Sequence, residues 1–289
     1  MSSSLELLAP AKINLSLDVI ARREDGYHLV EMVMQTIDLC DRIVLEETKS
    51  SELKLICPHP YVPSGADNLA WQAAALLREE YGHPNLGATI TITKNIPVAA
   101  GLAGGSTDAA AVLKGLNQLW RLNLPERELT KLALKLGADV PFCLRGGTAL
   151  ARGIGEELTV LPPPPKLWII LFKPNVGIST REVYEAFDEI KVHKRPRTES
   201  LLAAICAGDP QGMSGAMANV LESVTFARFP LLQRLKQKAL ELGATAALMS
   251  GSGPTIFALT PDYRRAVTIF NALKHQVEFA CATTFKEGY

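Results

Sequence analysis

A glycine-rich loop is the segment of the sequence best suited to chemistry. It reads Pro97-Val98-Ala99-Ala100-Gly101-Leu102-Ala103-Gly104-Gly105-Ser106-Thr107-Asp108, between a predicted strand and a predicted helix. Small residues permit close backbone approach and positive φ angles. The N–H groups and positive dipole end of the helix would face the loop, so the pattern predicts an anion pocket, most naturally for a phosphate chain. Ser106 and Thr107 could cap the helix, contact a phosphate oxygen or hold a magnesium ion.

Three known types of loop could explain this segment. A tight turn with a helix cap is the simplest. A Walker loop needs G-x-x-x-x-G-K-[ST], and no lysine precedes Ser106. A dinucleotide fingerprint needs G-x-G-x-x-G after a fully buried strand, whereas glycines stand here at 101, 104 and 105 and the preceding strand alternates threonine with isoleucine. A phosphate-binding loop of another kind therefore remains beside the tight turn.

Three polar residues elsewhere could act on a bound phosphate. Lys12 and Asn14 are two residues apart on a predicted strand and share its polar face, where a solvated lysine is the ordinary expectation. Asp139 follows Gly137-Ala138 and precedes Val140-Pro141, a spacing that suits a helix cap as well as a catalytic carboxylate.

Two turn segments could contact the rest of a ligand. Tyr27-His28 follows the turn signal Asp25-Gly26, and the pair is either ordinary turn structure or a ring face and a hydrogen-bonding edge for a base. Ser250-Gly251-Ser252-Gly253-Pro254 is a second glycine turn, which fits a hairpin as well as a ligand loop.

Strands and helices that alternate along the chain must position these residues. Periodicity and cap signals predict an α+β protein. The predicted strands are Ala11–Val19, an apolar run to Leu39, Arg42–Glu47, Gly87–Lys94, Leu167–Phe172, two short runs around Ser250–Gly253 and 277–285. The predicted helices are Asn68 to about Tyr81 with Asp67 as N-cap, Asp108–Trp120, Pro125 to Gly137, 180–190, 199–207, 213–224, 230–242 and 262–274.

Composition excludes several classes of protein. Thirty Lys+Arg balance thirty Asp+Glu in 289 residues, so the basic excess typical of nucleic-acid binders is missing. The longest apolar stretch, Leu167–Phe172, is far shorter than the ~18 residues of a membrane span, and the first eight residues do not resemble a secretory signal. Five scattered cysteines without C-x-x-C indicate buried or neutral thiols in a reducing, cytoplasmic compartment. The stiff Pro162–Pro165 segment predicts two domains, 1–161 and 166–289.

Three segments together resemble the sequence motifs of the GHMP kinase superfamily. They are Ala9-Pro10-Ala11-Lys12-Ile13-Asn14-Leu15, the glycine loop and Ser250-Gly251-Ser252-Gly253-Pro254-Thr255. This superfamily binds ATP through such a loop and not through a Walker loop. The resemblance implies a two-domain α+β fold, with an N-terminal ATP-binding half like ribosomal protein S5, a ferredoxin-like C-terminal half and an active site in the cleft between them.

Four segments are similar to one branch of that superfamily, whose acceptor is 4-diphosphocytidyl-2-C-methylerythritol of non-mevalonate isoprenoid synthesis. They are Asp25–His28, Asp67–Leu69, Ala100–Ser106 and Gly137–Pro141. The resemblance implies transfer of the γ-phosphoryl group of ATP to the tertiary 2-hydroxyl of that acceptor. Asp139 would accept the hydroxyl proton, and Lys12 would keep the carboxylate ionised and stabilise charge on the attacking oxygen and the moving phosphoryl group.

The resemblance also implies the remaining site residues. Tyr27 and His28 would bind the cytosine, Tyr184 would stack as a second ring unless it is a core residue of its helix, and Asn14 would contact the methylerythritol part. Thr180 would touch the ATP or substrate end of the site. ATP would be held by Pro97, Val98, Ala99, Ala100, Gly101, Leu102, Ala103, Gly104, Gly105, Ser106, Thr107, Asn68 and Lys94. Many relatives have glycine where this chain has Ala103, and alanine should be tolerated there unless its φ is positive.

ATP chemistry implies magnesium, for which Ser106 is the candidate hydroxyl contact. The expected partner is a small-molecule substrate, with no nucleic acid or membrane, for a monomer or weak homodimer. Two other functions remain. A mevalonate- or homoserine-type kinase would not need the Tyr27, His28 and Tyr184 clamp, and an inactive nucleotide sensor would not need both Lys12 and Asp139.

Overall fold

The computed structural model describes residues 3–190, 192 and 194–287, which form two compact units that interleave along the chain. The first unit contains the described residues up to Ala11, then Leu39–Val98 and Ala103–Arg145. The second contains Lys12–Asp38, Ala99–Leu102 and the described residues from Gly146 onward. The two long first strands, β1 (Ser4–Arg22) and β2 (His28–Thr48), each contribute residues to both units.

The first unit combines strands with a group of helices. Its further elements are β3 (Leu53–Ile56), α1 (Leu69–Tyr81), β4 (Gly87–Thr93), α2 (Gly104–Leu119), α3 (Glu126–Leu136) and α4 (Val140–Arg145). Strand β4 pairs antiparallel with β2 from Arg42 to Thr48 and parallel with β3. Most of helix α2 is buried, and Gly115 lets it approach β2 so closely that a Cβ there would lie 2.3 Å from Leu45.

The second unit contains one purely antiparallel sheet and most of the short helices. Its strands are β5 (Thr148–Arg152), β6 (Glu157–Leu161), β7 (Trp168–Lys173), β8 (Ala246–Met249), β9 (Ile256–Thr260) and β10 (Phe279–Thr284). Its helices are α5 (Thr180–Phe187), α6 (Thr198–Ala207), α7 (Pro210–Ala216), α8 (Glu222–Arg228), α9 (Pro230–Glu241) and α10 (Tyr263–Leu273). The sheet has the order β10-β7-β9-β8, while β5 pairs with β2 and β6.

The first strand departs from its expected environment. The alternation of apolar and polar residues is present, but the polar side is buried as well, with Lys12 5% exposed and Asn14 fully buried. The expectation of a solvated lysine was therefore wrong. Burial is possible because these polar atoms find partners: Lys12 Nζ donates to Asn14 Oδ1 (3.0 Å), and Ser16 Oγ accepts from Val33 N (3.1 Å).

Helix boundaries differ from prediction where local capping decides them. Helix α1 is capped by Asn68, not Asp67, because the Asn68 side chain accepts from Ala70 N (2.9 Å). Helix α2 starts at Gly104, four residues before the predicted Asp108. The predicted helix over 213–224 is two helices, α7 and α8, and the predicted runs that end at Leu39 and Glu47 are one strand, β2.

The division of the sequence at Pro162–Pro165 stays a prediction about sequence domains. The segment itself is neither helix nor strand, as expected, and it lies inside the second compact unit. Over the described part of the chain, none of the helices has the length and apolar character needed to span a bilayer.

Candidate active site

The glycine loop has an unusual backbone that prepares it for an anion. Ala99, Gly101 and Ala103 have φ angles of 50°, 72° and 58°, so every second residue is left-handed. The first helical bond of α2 runs from Thr107 N to Ala103 O (2.9 Å), which places the amides of Gly104, Gly105 and Ser106 before the helical ladder. Such N–H groups, with the helix dipole behind them, favour a bound phosphate. Alanine was expected to be tolerated at position 103 unless its φ angle is positive. The φ angle of Ala103 is positive, so the alanine is strained there.

In the second unit, the centre of the loop rests on the second glycine turn. Ser250 Oγ donates to Gly101 O (2.8 Å). A Cβ on Gly101 would lie 2.3 Å from Ser250 O and 3.0 Å from Gly253 O, so the position requires glycine for its space as well as for its φ. The Ser250–Gly253 turn, open to two explanations from the sequence, is thus a support for the loop.

Asn219 holds that supporting turn in place. Its Nδ2 donates to Met249 O (2.8 Å) and Gly251 O (2.7 Å), while its Oδ1 accepts from Leu221 N (3.0 Å). Glu222 Oε1 accepts from Met249 N (2.9 Å) at the same place. Sequence analysis missed both residues, because an asparagine inside the predicted 213–224 helix favours a helix break but does not indicate a contact with a turn 30 residues away.

Lys12 and Asn14 lie beside the loop in the same unit. Lys12 N donates to Leu102 O (3.1 Å), which ties β1 to the loop. Asn14 Nδ2 lies 3.1 Å from Met32 Sδ, and its Oδ1 lies 3.6 Å from the position that a Cβ on Gly251 would take. The structure therefore brings together four predicted parts: Lys12, Asn14, the loop centre and the second glycine turn.

In the first unit, a buried ionic cluster lies next to the start of α2. Lys94 Nζ forms ion pairs with Asp41 Oδ2 and with Asp108 Oδ2, the latter at 2.7 Å. Burial is the main cause that raises the pKa of Asp108 to about 7, against the lowering effect of the Lys94 charge. The two carboxylates raise the pKa of Lys94 despite its burial. Lys94 was predicted to line the ATP site, whereas Asp41 and Asp108 were not predicted as site residues.

Three other residues proposed for ATP differ in how their polar atoms are used. Asn68 Nδ2 donates to Pro63 O (2.9 Å) while its Oδ1 caps α1, so both ends of the amide have protein partners. Thr107 Oγ1 donates to Pro10 O (2.8 Å) and is fully buried. Ser106 stands half-buried in the first turn of α2, so its hydroxyl is better placed for a ligand than that of Thr107.

Asp139 lies in the first unit, between α3 and α4. Its carbonyl accepts from Cys143 N (3.1 Å), as an N-cap residue does, and its side chain is half-buried. Lys12 belongs to the second unit, and its pairing with Asp139 stays a prediction.

A histidine and an aromatic ring form a small cluster in the second unit. The rings of His28 and Tyr184 are 5.1 Å apart between centroids and tilted by 38°. His28 Nε2 donates to Asp188 Oδ1 (2.8 Å), and Arg22 forms an ion pair with the other oxygen of that carboxylate (3.1 Å). Tyr27 is 61% exposed. The cluster offers ring surface and a fixed imidazole, which suits a planar base.

The chain is similar to known proteins along most of its length. Residues 68–147 match the N-terminal domain of GHMP kinases, and residues 201–278 match the C-terminal domain. The chain is 50% identical to a 4-diphosphocytidyl-2-C-methyl-D-erythritol kinase of Alkaliphilus metalliredigens, over 93% of this chain and 92% of the relative. It matches a crystal structure of 4-(cytidine 5'-diphospho)-2C-methyl-D-erythritol kinase with 38% identity and a TM-score of 0.82, over 98% of this chain and 100% of that one.

The chain belongs to the GHMP kinases, within the family of 4-diphosphocytidyl-2-C-methyl-D-erythritol kinases. This confirms the α+β GHMP kinase fold predicted from the three motifs. A homoserine kinase from Cytophaga hutchinsonii also matches, with a TM-score of 0.78 over 100% of this chain and 96% of that one. At 22% identity, that likeness shows the fold alone.

One further predicted residue, Thr180, and one that was not predicted, Asp188, also have defined contacts in the second unit. Thr180 Oγ1 lies 2.8 Å from Ser252 Oγ, so it contacts the turn that supports the loop. Asp188, which the sequence analysis did not select, lies one helical turn after Tyr184, and the i,i+4 spacing puts both on one face toward His28. That spacing was the available signal.

Proposed function

We propose that this GHMP kinase transfers the γ-phosphoryl group of ATP to the 2-hydroxyl of 4-diphosphocytidyl-2-C-methyl-D-erythritol, in non-mevalonate isoprenoid precursor synthesis. The observation that carries the choice of acceptor is the His28–Tyr184 cluster, because a planar base needs such a surface and small acyclic acceptors do not. Likeness over nearly the whole chain to enzymes named for that substrate supports it.

The ATP phosphates would lie on the glycine loop. The left-handed residues and the amides at the start of α2 supply main-chain donors and a positive dipole end. Residues proposed for ATP are Pro97, Val98, Ala99, Ala100, Gly101, Leu102, Ala103, Gly104, Gly105, Ser106, Thr107, Asn68 and Lys94. Of these, Asn68 and Thr107 would act through their backbone and their packing, since their side-chain polar atoms already have protein partners.

Asp139 and Lys12 would perform the transfer. Asp139 accepts the proton of the 2-hydroxyl while the oxygen of that hydroxyl forms a bond to the γ-phosphorus of ATP. The bond from the γ-phosphorus to the oxygen that bridges it to the β-phosphorus breaks, and ADP is released. Lys12 stabilises negative charge on the attacking oxygen and the moving phosphoryl group. Because the transition state is loose, positioning and charge stabilisation dominate over covalent chemistry.

The acceptor would be bound through its base and its polyol. Tyr27, His28 and Tyr184 hold the cytosine, with Asp188 fixing the His28 ring through Nε2. Asn14 contacts the methylerythritol part, and Thr180 lies at the end of the site near the second glycine turn. Since Asn14 Oδ1 already accepts from Lys12 Nζ, a hydroxyl bound by Asn14 would also lie close to the Lys12 charge.

Magnesium would bind mainly through the ATP phosphates. Mg²⁺ generally keeps several waters and is bound through substrate phosphates together with one or two protein oxygens. Among the described residues there is no group of three or more His, Cys, Asp or Glu side chains that could hold a metal ion. Ser106 is the hydroxyl best placed to contact it. When bound, magnesium would offset charge on the β- and γ-phosphates. We further propose that the enzyme works in the cytoplasm as a monomer or weak homodimer, without a nucleic-acid partner.

A coupled ADP-release assay tests the proposal, with 4-diphosphocytidyl-2-C-methyl-D-erythritol, mevalonate and homoserine as acceptors and with or without magnesium. We expect magnesium-dependent turnover on the cytidyl acceptor alone. Turnover only on the small acceptors would assign a different GHMP kinase, and ATP binding without any turnover would favour a nucleotide sensor.

The Asp139→Asn variant tests the base. We expect turnover to fall by about 10²–10⁴-fold, because the proton acceptor is lost, while ATP still binds within a few fold of the parent enzyme. Near-normal turnover in this variant would remove Asp139 from its role.

A further inference from the structure

The entry to the glycine loop is fixed by one buried carboxylate. Asp41 is 0% exposed, and its Oδ1 accepts from both Asn95 N (2.6 Å) and Ile96 N (2.8 Å). These two amides directly precede Pro97, where the loop begins. Two charge-assisted bonds to one oxygen hold this backbone strongly.

The exit from the loop is held by the same cluster. Lys94 Nζ, which pairs with the second oxygen of Asp41, also donates to Asp108 Oδ2 at 2.7 Å, in the first half of α2. A Cβ on Gly104 would lie 3.2 Å from Lys94 Nζ, so the ammonium sits against the first residue of that helix. Asp41, Lys94 and Asp108, here termed the loop clamp, therefore connect the residues before Pro97 with those after Thr107.

We propose that Asp41 is a positioning residue for ATP, which acts through the loop clamp by keeping the two ends of the glycine loop at a fixed separation. The proposal rests on the proposed function, since it assumes that ATP binds this loop. A fixed separation of the loop ends keeps the loop ordered before ATP binds. The entropic cost of ordering the loop then does not weaken the binding of ATP. Loss of the loop clamp should then weaken ATP binding more than it slows turnover at saturating ATP.

The composition of the loop clamp supports a positioning role over a purely stabilising one. Two carboxylates and one ammonium are nearly or fully buried, and such groups are often less stabilising than apolar side chains of the same volume. One oxygen, Asp108 Oδ1, is buried without a hydrogen-bond partner among the described residues, which adds to the cost. The cluster instead fixes the positions of two backbone amides, Asn95 N and Ile96 N, and of the start of helix α2.

The test compares Asp41→Asn with Asp38→Asn as a matched control. Asp38 lies on the same strand, but its side chain is exposed and pairs with Lys286 at 3.3 Å, away from the loop clamp. The measurements are the ATP dissociation constant by calorimetry, KM for ATP and kcat, and hydrogen exchange of 94–108 by mass spectrometry.

For Asp41→Asn we expect an ATP dissociation constant at least tenfold higher, kcat within about threefold and faster exchange confined to 94–108. Asp38→Asn should match the parent enzyme in all three. A folded Asp41→Asn variant whose ATP dissociation constant stays within twofold overturns the proposal, as does faster exchange spread evenly over the first unit.

If Asp41→Asn does not fold, Asp108→Ala tests the proposal instead. This variant removes the Lys94–Asp108 contact at the end of the loop and leaves the hydrogen bonds from Asn95 N and Ile96 N to Asp41 intact. It should weaken ATP binding at least fivefold, with unchanged KM for the acceptor, and unchanged ATP binding would overturn the proposal. Calorimetry needs no acceptor, so an enzyme that binds ATP normally but ignores the cytidyl acceptor would refute the proposed function and leave the loop clamp standing.

Discussion

The glycine loop is supported in two chemically different ways by the two units. In the first unit, its ends are fixed by charged side chains, the Asp41–Lys94–Asp108 clamp. In the second unit, its centre at Gly101 rests on the neutral backbone of the Ser250–Gly253 turn, which Asn219 holds by its amide. A charged support depends on pH and on desolvation, whereas a backbone support depends on shape. The two should therefore fail under different perturbations.

The largest effect is expected where shape decides. Gly101→Ala places a Cβ 2.3 Å from Ser250 O at a left-handed φ, so either the loop or the turn must move. We expect ATP binding to weaken by at least 100-fold in calorimetry. Gly177→Ala is the matched control in the same unit, because nothing lies within 4 Å of its Cβ position. Equal behaviour of the two variants would mean that the turn does not support the loop.

Removal of the neutral side-chain support should cost stability at every pH. Asn219→Ala leaves Met249 O and Gly251 O without their amide donor, which costs about 1–3 kcal/mol for each group that stays unsatisfied. We expect a loss of about 2–4 kcal/mol in the free energy of unfolding, measured with urea at pH 6 and pH 8. A loss that differs clearly between the two pH values would contradict a neutral support.

The charged support should make the free energy of unfolding depend on pH through Asp108. The pKa of Asp108 is raised from 3.8 to about 7, so the folded protein holds a proton that the unfolded chain has released, and stability from this group falls as pH rises from about 4 to about 7. Asp108→Asn removes this titration. The stability of the variant relative to the parent should rise through that window by about 1 kcal/mol or more and level off above it.

Urea unfolding of both proteins at several pH values measures this difference, since titrations common to the two cancel. The groups that act on Asp108 are Lys94 and Asp41, and the nearby Cys57 thiol, whose own pKa burial raises, interacts with all three. A difference that is constant between pH 4 and pH 8 would show that Asp108 does not titrate there.

The smallest expected effect compares the two left-handed alanines. Ala103 and Ala99 have φ angles of 58° and 50° and belong to the first and second unit, respectively. Replacement by glycine relieves the strain but gives the unfolded chain more freedom, so each variant should gain about 0.5–1 kcal/mol in the free energy of unfolding. Ala110→Gly, inside α2, should instead lose about 1 kcal/mol. A loss at Ala103 or Ala99 would mean that the alanine methyl packs favourably there.

Much of this site could be predicted from local sequence. Gly101 could be predicted because small residues between a strand and a helix are typical of close backbone approach. Lys12 could be predicted because the first motif resembles that of the GHMP kinases. Asp41 and Asn219 could not be found in this way. Their partners lie 54–55 and 30–32 residues away, at backbone groups of ordinary type, so no local pattern distinguishes them from other polar residues.

The fold shows the same limit. The strand period of β1 was clear, but whether the polar side of a strand faces water depends on what covers it, and the burial of Lys12 and Asn14 became visible only in the structure. Helix α2 began early because the glycines at 104 and 105 adopt helical backbone, which their low propensity argues against.

The interleaving of the two units has a consequence for synthesis on the ribosome. All segments of the first unit have been translated once residue 145 is made, so the clamped ends of the loop can form early. Ser250 lies 149 residues beyond its partner Gly101 and, at ~5–20 residues per second, is translated roughly 7–30 s after it. A nascent chain should therefore carry an incompletely supported loop for about half of its elongation, and nucleotide would begin to protect it only near the end of translation.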